Sequence, residues 1–273
     1  MTRPIGLIAG NRSLPLMAAE KARALGRPLA VAALAGEAAP EIRGLADYFV
    51  SVKLGQMRVM IDFFLGAGVR DVVMIGGISR ETIILNYEPD EVALEITAGL
   101  TDFHTDKILK AVCARLESEG LHLRSAADLL PELLPPPGLL TRKSPDAEMT
   151  ADLKVAWRIA KELGRLDVGQ CAVVSDRITL AVEAAEGTDA TVARGGALAR
   201  KPVAVAKVVK PMQDLRLDPP VIGPDTIRAM AAANVGAVAV DASKVLVVNL
   251  DETIRLADEA GLALVAWTDE SAS

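Results

Sequence analysis

Lys207 interrupts the aliphatic run from Val203 to Val209, where a strand would place it on one face with Val203, Val205 and Val209. A lysine in such a setting is costly unless an anion neutralises it. Lys210, Gln213, Asp214 and Arg216 follow, and in an extended segment Asp214, Arg216 and Asp218 would project to one side. Cations and carboxylates mixed at the carboxyl end of a strand suit a metal-bridged phosphate better than a plain salt-bridged surface. A solvated charged loop accounts for Arg216 and Asp218, but poorly for Lys207.

Two flanking turns point the same way. Upstream, Glu183-Ala184-Ala185-Glu186-Gly187-Thr188-Asp189 leads into a helix, with Thr188 as N-cap and Asp189 in the first turn. Gly187 would let a ligand approach the backbone. Taken alone, this is equally a well-capped helix with an acid at its positive end. Downstream, Gly223-Pro224-Asp225-Thr226 opens a further helix, where Asp225 reads as an N-cap, a Mg²⁺ ligand or a general base. Mg²⁺ is usually held by one or two carboxylates plus substrate phosphates, so Asp189, Asp214 and Asp225 would suffice. The stretch from Glu183 to Asp225 therefore reads as the anion-handling site of a phosphoryl-transfer or phosphate-hydrolysing enzyme.

A second candidate site lies near the N-terminus. Gly10-Asn11-Arg12-Ser13 follows an apolar run and opens a helix, so its glycine and free amides make a natural anion site. Gly76-Gly77-Ile78-Ser79 follows another buried run. Ligands of open α/β sheets gather beyond the carboxyl ends of strands, so the two turns together suggest a nucleotide pocket. The glycine spacing is not G-x-G-x-x-G, and no G-x-x-x-x-G-K-[ST] occurs, which disfavours a dinucleotide enzyme and a P-loop kinase.

The elements that must position these residues alternate. In the first half, strands are expected at 5–9, 28–34, 48–52 and 71–75, with helices at 14–25, 56–65, 91–98 and 105–119. Such alternation implies βαβ units and a Rossmann-like, doubly wound parallel sheet. Leu133-Leu134-Pro135-Pro136-Pro137-Gly138 cannot continue a helix or sit in a central strand. It marks residues 1–134 as one domain, 135–145 as a linker and 146–273 as a second domain. In the latter, helices are expected at 146–163, 189–199, 251–260 and from Asp225 onward. Strands are expected at 170–174, 178–183, 203–209, 237–240, 245–248 and 263–267, with Asp176-Arg177 as a hairpin turn. This gives an α/β domain with a mixed sheet.

Composition narrows the partners. The 273-residue chain is 51% hydrophobic and only 3% aromatic, with a net charge of −6. Few cations and few stacking rings disfavour nucleic acid. The cysteines Cys113 and Cys171 and the histidines His104 and His122 show no metal-ligand spacing, and a reducing cytosolic setting fits best. The apolar run after Met1-Thr2-Arg3-Pro4 is too short for a signal peptide, and no run approaches the roughly 20 residues of a membrane span. The mean hydropathy of +0.31 nevertheless fits an apolar cleft or a lipid-touching surface as well as an Ala/Val-rich core.

Five motifs in order, 138–142, 166–170, 181–189, 207–216 and 222–226, resemble the LpxI-type UDP-2,3-diacylglucosamine pyrophosphatase family of Gram-negative lipid A synthesis. The resemblance spans essentially the whole chain. It implies Mg²⁺-dependent hydrolysis of UDP-2,3-diacylglucosamine to UMP and 2,3-diacylglucosamine 1-phosphate (lipid X). Asp225, Gln213, Lys207 and Lys210 would act in catalysis, and Asp189, Asp214 and Asp225 would hold metal. Gly10, Asn11, Ser13, Gly76, Gly77, Ser79, Gln170, Glu186, Thr188 and Arg216 would contact substrate. A cytoplasmic protein is implied, peripheral on the inner membrane, with acyl chains in an apolar channel and homo-oligomer formation left open. A sugar-nucleotide phosphotransferase and a non-catalytic nucleotide or lipid carrier are the competing readings.

Overall fold

The computed structural model describes residues 3–101 and 105–272, so Met1, Thr2 and His104 fall outside it. Two compact units emerge: Met1–Leu130 with Leu215–Asp218, and Pro131–Asp214 with Pro219–Ser273. Among the described residues, no helix is long and apolar enough to cross a membrane.

In the first unit, β1 (Ile5–Ala9), β2 (Leu29–Leu34), β3 (Tyr48–Val52), β4 (Asp71–Ile75) and β5 (His122–Arg124) form a parallel sheet in the order β3-β2-β1-β4-β5. All five residues of β1 are buried, as expected of a strand covered on both faces. The helices are α1 (Leu14–Ala24), α2 (Met57–Gly66), α3 (Arg80–Leu85), α4 (Glu91–Ala98), α5 (Thr105–Ser118) and α6 (Ala126–Leu129). Ile61, Phe64 and Leu116 are fully buried in the core between helices and sheet. The chain builds outward from β1 to β2 and β3, then crosses back to β4 on the other side of β1. That reversal places the topological switch point between β1 and β4.

The second unit has a mixed sheet of six strands in the order β6-β13-β11-β9-β7-β8. These are β6 (Gly138–Leu139), β7 (Cys171–Ser175), β8 (Ile178–Val182), β9 (Val203–Lys207), β11 (Val235–Asp241) and β13 (Ala263–Trp267). Strands β9, β11 and β13 are parallel, β7 runs against β9, and β8 runs against β7. A separate parallel pair joins β10 (Val221–Ile222) to β12 (Leu246–Val247). The run expected to strengthen the sheet at 245–248 thus lies outside it. Helices α7 (Ala147–Arg165), α8 (Thr188–Leu198), α9 (Pro224–Ala232), α10 (Leu250–Glu259) and α11 (Asp269–Ala272) complete the unit. Leu153, Ala156, Trp157 and Ala160 of α7 pack on an alanine-rich sheet face built from Ala172, Ala204, Ala206, Ala237 and Ala239. Small strand residues let the helix sit close.

The Pro-rich segment expected as a linker supplies the edge strand β6, antiparallel to β13. An edge tolerates prolines because its outer side needs no ladder donors. Thr141, just beyond it, is buried and accepts a hydrogen bond from the Leu264 amide at 2.9 Å.

Asp176 and Arg177 form the β7–β8 turn with φ of 52° and 61°, the left-handed pair of a tight hairpin. The buried Asp152 of α7 stabilises it by accepting from the amides of Asp176 (2.9 Å) and Arg177 (2.7 Å). Asp152→Ala is expected to cost about 2 kcal/mol, since it strands these donors. A lowered urea midpoint and faster amide exchange at 176–177 would report it; wild-type exchange there would show that the turn holds itself.

Candidate active site

At the switch point of the first sheet, three carboxyl-end turns meet. Gly10 donates its amide to the Ile75 carbonyl and Asn11 donates its own to the Gly77 carbonyl, each at 2.9 Å. The contact needs glycine: a Cβ on Gly10 would collide with the Gly77 carbonyl, and Gly76 adopts φ of +95°. Glu37, beyond β2, joins the turns by accepting from Asn11 Nδ2 at 2.6 Å, Ser79 N at 2.9 Å and Ser79 Oγ at 2.5 Å. Burial alone raises the pKa of this carboxyl, but hydrogen bonds from Ser79, Thr82 and Asn11 outweigh it and hold the value at about 2. These bonds therefore stabilise the unit fully above the ordinary value of 4.5 and are lost as pH falls towards about 2.

The structure thus brings Gly10, Asn11, Gly76, Gly77 and Ser79 together. It corrects the expectation of free amides, because those of Gly10, Asn11 and Ser79 are already bonded within the protein. Ser13 is exposed and makes no side-chain capping bond to α1. Glu37 escaped the sequence reading. Its signal was its position after the aliphatic strand β2, in a third turn at the same sheet edge.

The second unit gathers its candidates at one sheet edge as well. Strands β8 and β9 end there, β7 begins there, and α8 and α9 start there because each runs back to feed the next strand of the sheet. Lys207, the last residue of β9, pairs across the ladder with Cys171, which in turn neighbours Glu183. The three side chains share a face, placing Lys207 roughly 10 Å from Glu183 at two strand spacings. Lys207 is 8% exposed, and its ammonium donates to the Val221 carbonyl at 3.0 Å. Among the described residues no carboxylate pairs with it. Cys171 between them is inert, since burial and then the Glu183 charge push its thiol up.

Glu183 is buried and accepts from the Gln170 amide and the Thr188 hydroxyl, each at 3.0 Å. Thr188 is therefore not the N-cap of α8; Gly187 is, with φ of 82°. The hydroxyl serves the buried acid instead. Gln170 takes the Val208 amide on its carbonyl, while its Oε1 is buried without a partner among the described residues. Beyond β9, the Val209 amide donates to Asp241 Oδ2 at 2.6 Å, and Lys161 donates to both oxygens of the same carboxylate. Lys210 N and Gln213 Oε1 close a turn at 3.2 Å, and Lys210 Nζ contacts Asp167 at 2.8 Å. Asp241 was not singled out from the sequence, although it ends the aliphatic run Val235–Val240.

Several expected residues have partners or positions other than those expected. Residues 215–217 form a turn rather than an extended segment, because Leu217 buries itself in the core of the first unit. Arg216 accordingly pairs with Glu117 of α5 at 3.0 Å. Glu186 is held by Arg194 at 2.6 Å, and bonds from its own amide and Arg194 lower its pKa. Asp225 is the second residue of α9, not its N-cap, and its exposed carboxylate pairs with Arg228 at 2.6 Å. Asp189 is exposed in the first turn of α8. Among the described residues no group of three or more His, Cys, Asp or Glu is placed to hold a metal ion. Asp189, Asp214 and Asp225 therefore do not form a metal cage of their own.

Known proteins place this architecture. The LpxI N-terminal domain matches residues 4–133, and the LpxI C-terminal domain matches residues 136–265. The UDP-2,3-diacylglucosamine pyrophosphatase LpxI of Caulobacter vibrioides is 34% identical over 271 residues, covering 95% of this chain and 96% of that one. With both domains matched in order and the likeness running nearly end to end, the chain belongs to the LpxI family.

Proposed function

We propose that this chain hydrolyses the diphosphate of UDP-2,3-diacylglucosamine, releasing UMP and 2,3-diacylglucosamine 1-phosphate for lipid A biosynthesis. The observation that carries the reading is Lys207, a buried ammonium with no carboxylate partner among the described residues, at a sheet edge where two helices begin. Such a group favours an incoming anion, and a diphosphate is the anion the family relative's name supplies.

In this reading Lys207 and Lys210 offset the charge of the diphosphate as the phosphorus–oxygen bond breaks. Gln213 orients the attacking water, and Asp225 accepts its proton. Thr188 and Asp189 mark the helix end, and Gln170 offers its unpartnered amide oxygen to a substrate donor. Among the described residues no three carboxylates form a cage for Mg²⁺, so the ion would enter largely with the diphosphate. Its contribution would be to neutralise phosphate charge. A diacylated substrate would bring the chain to the cytoplasmic face of the inner membrane.

The test is incubation with UDP-2,3-diacylglucosamine and Mg²⁺, followed by mass spectrometry of the products. Equal amounts of UMP and lipid monophosphate, with one water oxygen incorporated, are expected. Turnover only with an added acceptor would make the chain a transferase, and binding without turnover a carrier. Chelation of divalent cations by EDTA should lower the rate at least about 100-fold, with recovery on adding Mg²⁺. Undiminished activity in EDTA would remove the metal from the reading.

A further inference from the structure

We propose that Asp241, held by Lys161, is a positioning residue for the anion site: its carboxylate takes over the ladder where β11 ends and fixes the backbone between Lys207 and Lys210. The inference rests on the hydrolytic reading above and deepens it, naming what keeps the two cations in place.

Strand β9 lies between β7 and β11, and its last residue, Lys207, pairs with Val240. Amides along a strand turn alternately to its two neighbours. The Val208 amide finds the Gln170 carbonyl on the β7 side at 2.9 Å. The Val209 amide faces the β11 side, where the ladder has stopped. The Asp241 carbonyl is already taken by the Val245 amide, at 3.1 Å in the following turn. The Asp241 side chain supplies the acceptor instead, accepting from Val209 at 2.6 Å. A buried amide without such a partner would be costly.

A carboxylate is more than one amide requires. Asp241 is 2% exposed, and a buried ion is harder to accommodate than a neutral acceptor. Lys161 of α7 compensates it, with its ammonium 2.8 and 2.9 Å from the two carboxylate oxygens. Lys161 is itself fixed, over the Trp157 ring at 4.8 Å and beside Asp269 at 3.3 Å. With both oxygens engaged, the carboxylate has one orientation and offers Val209 one direction.

The two cations depend on that direction. Val208 shares with Ala204 and Ala206 the face that packs against α7, so Lys207 lies on the opposite face. Lys210 returns to the α7 side: a Cβ on Gly164 would lie 3.3 Å from its Cα, and its ammonium reaches Asp167 at 2.8 Å. Between the two lies the backbone of Val208 and Val209, and a twist there would swing the ammonium groups apart. Asp241 follows Ala237 and Ala239 on the α7 face, away from Lys207, so it acts through this backbone and not by direct contact.

Double-mutant kinetics test the assignment. Asp241→Ala should lower kcat/KM for UDP-2,3-diacylglucosamine about 100-fold, the size of effect that a displacement near 1 Å produces. In a Lys207→Met background the same change should cost no more than about fivefold, because the group it positions is already gone. A merely structural fault would multiply with Lys207→Met. Asp241→Asn keeps an acceptor for the Val209 amide and should recover to within about tenfold of wild type. Asp241→Ala leaves the Lys161 charge uncompensated, so Lys161→Met/Asp241→Ala, which removes both ions, takes its place wherever the single variant does not fold. Calorimetry with inorganic pyrophosphate runs the same cycle without turnover. Asp241→Ala should weaken pyrophosphate about tenfold in the wild-type background and less than about threefold beside Lys207→Met. Equal losses in the two backgrounds, an Asp241→Asn variant as slow as Asp241→Ala, or wild-type kcat/KM in a folded Lys161→Met/Asp241→Ala protein overturns the inference. If the wild-type protein hydrolyses its substrate and the cycles are additive, this inference alone falls. If it does not hydrolyse while the pyrophosphate cycle shows coupling, the proposed function falls and the positioning role stands.

Discussion

Replacing Asp225 by alanine should lower turnover on the order of 1,000-fold while leaving the affinity for UDP-2,3-diacylglucosamine within about threefold of wild type. The carboxylate projects from the first turn of α9 with its side chain 99% exposed, held by Arg228, which also reaches Glu252 of α10 at 3.0 Å. An exposed ion pair contributes little to folding, so the thermal midpoint should barely move. A group that matters little to stability yet greatly to rate has a chemical role. Asp225→Asn sharpens the point, because it keeps the shape and loses the basicity. It should be as slow as the alanine variant. Single-turnover rates together with equilibrium binding would measure both quantities. Full activity in either variant would sink the assignment of Asp225 as the base, whatever the fate of the remaining site.

The second large effect concerns Lys207. Lys207→Met keeps the length and apolar stem of the side chain and removes the charge. Turnover should fall at least about 100-fold, since one preorganised cation facing the developing charge is lost. Stability should be unchanged or higher by about 1 kcal/mol, because a buried ammonium with a single carbonyl partner gives way to a well-packed apolar group. The opposed signs are the diagnostic. A structural lysine would show the reverse: rate preserved and urea midpoint lowered. Loss of both together would make Lys207 a packing residue whose removal deforms the edge of β9. The same pair of measurements, rate against unfolding midpoint, therefore separates all three roles.

Much of this arrangement is written in local sequence. The aliphatic runs Ile5–Ala9, Tyr48–Val52, Asp71–Ile75 and Ala263–Trp267 form strands at the expected bounds, and Glu91–Ala98 is the expected helix. Periodicity and turn chemistry are short-range properties, as is the left-handed Asp176-Arg177 hairpin, so one sequence window suffices to read them. The awkwardness of Lys207 is also local, because it needs only the valines on either side. Local sequence is enough to read the two α/β units and to nominate residues able to meet an anion.

Which of those residues meet depends on long-range contacts. Glu37 stands 26 positions from Asn11, and nothing nearby in the sequence predicts that its carboxylate turns an expected phosphate cradle into a cluster of satisfied donors. Arg216 follows Asp214 by two residues, yet the burial of Leu217 in the first core carries it to Glu117. Asp189, Asp214 and Asp225 look alike as carboxylates on paper, and the fold does not gather them into a metal cage. Hydrogen bonds and ion pairs act over a few ångströms of space, whereas the sequence orders residues only along the chain. The nominations were therefore legible in the sequence, and the partnerships were not.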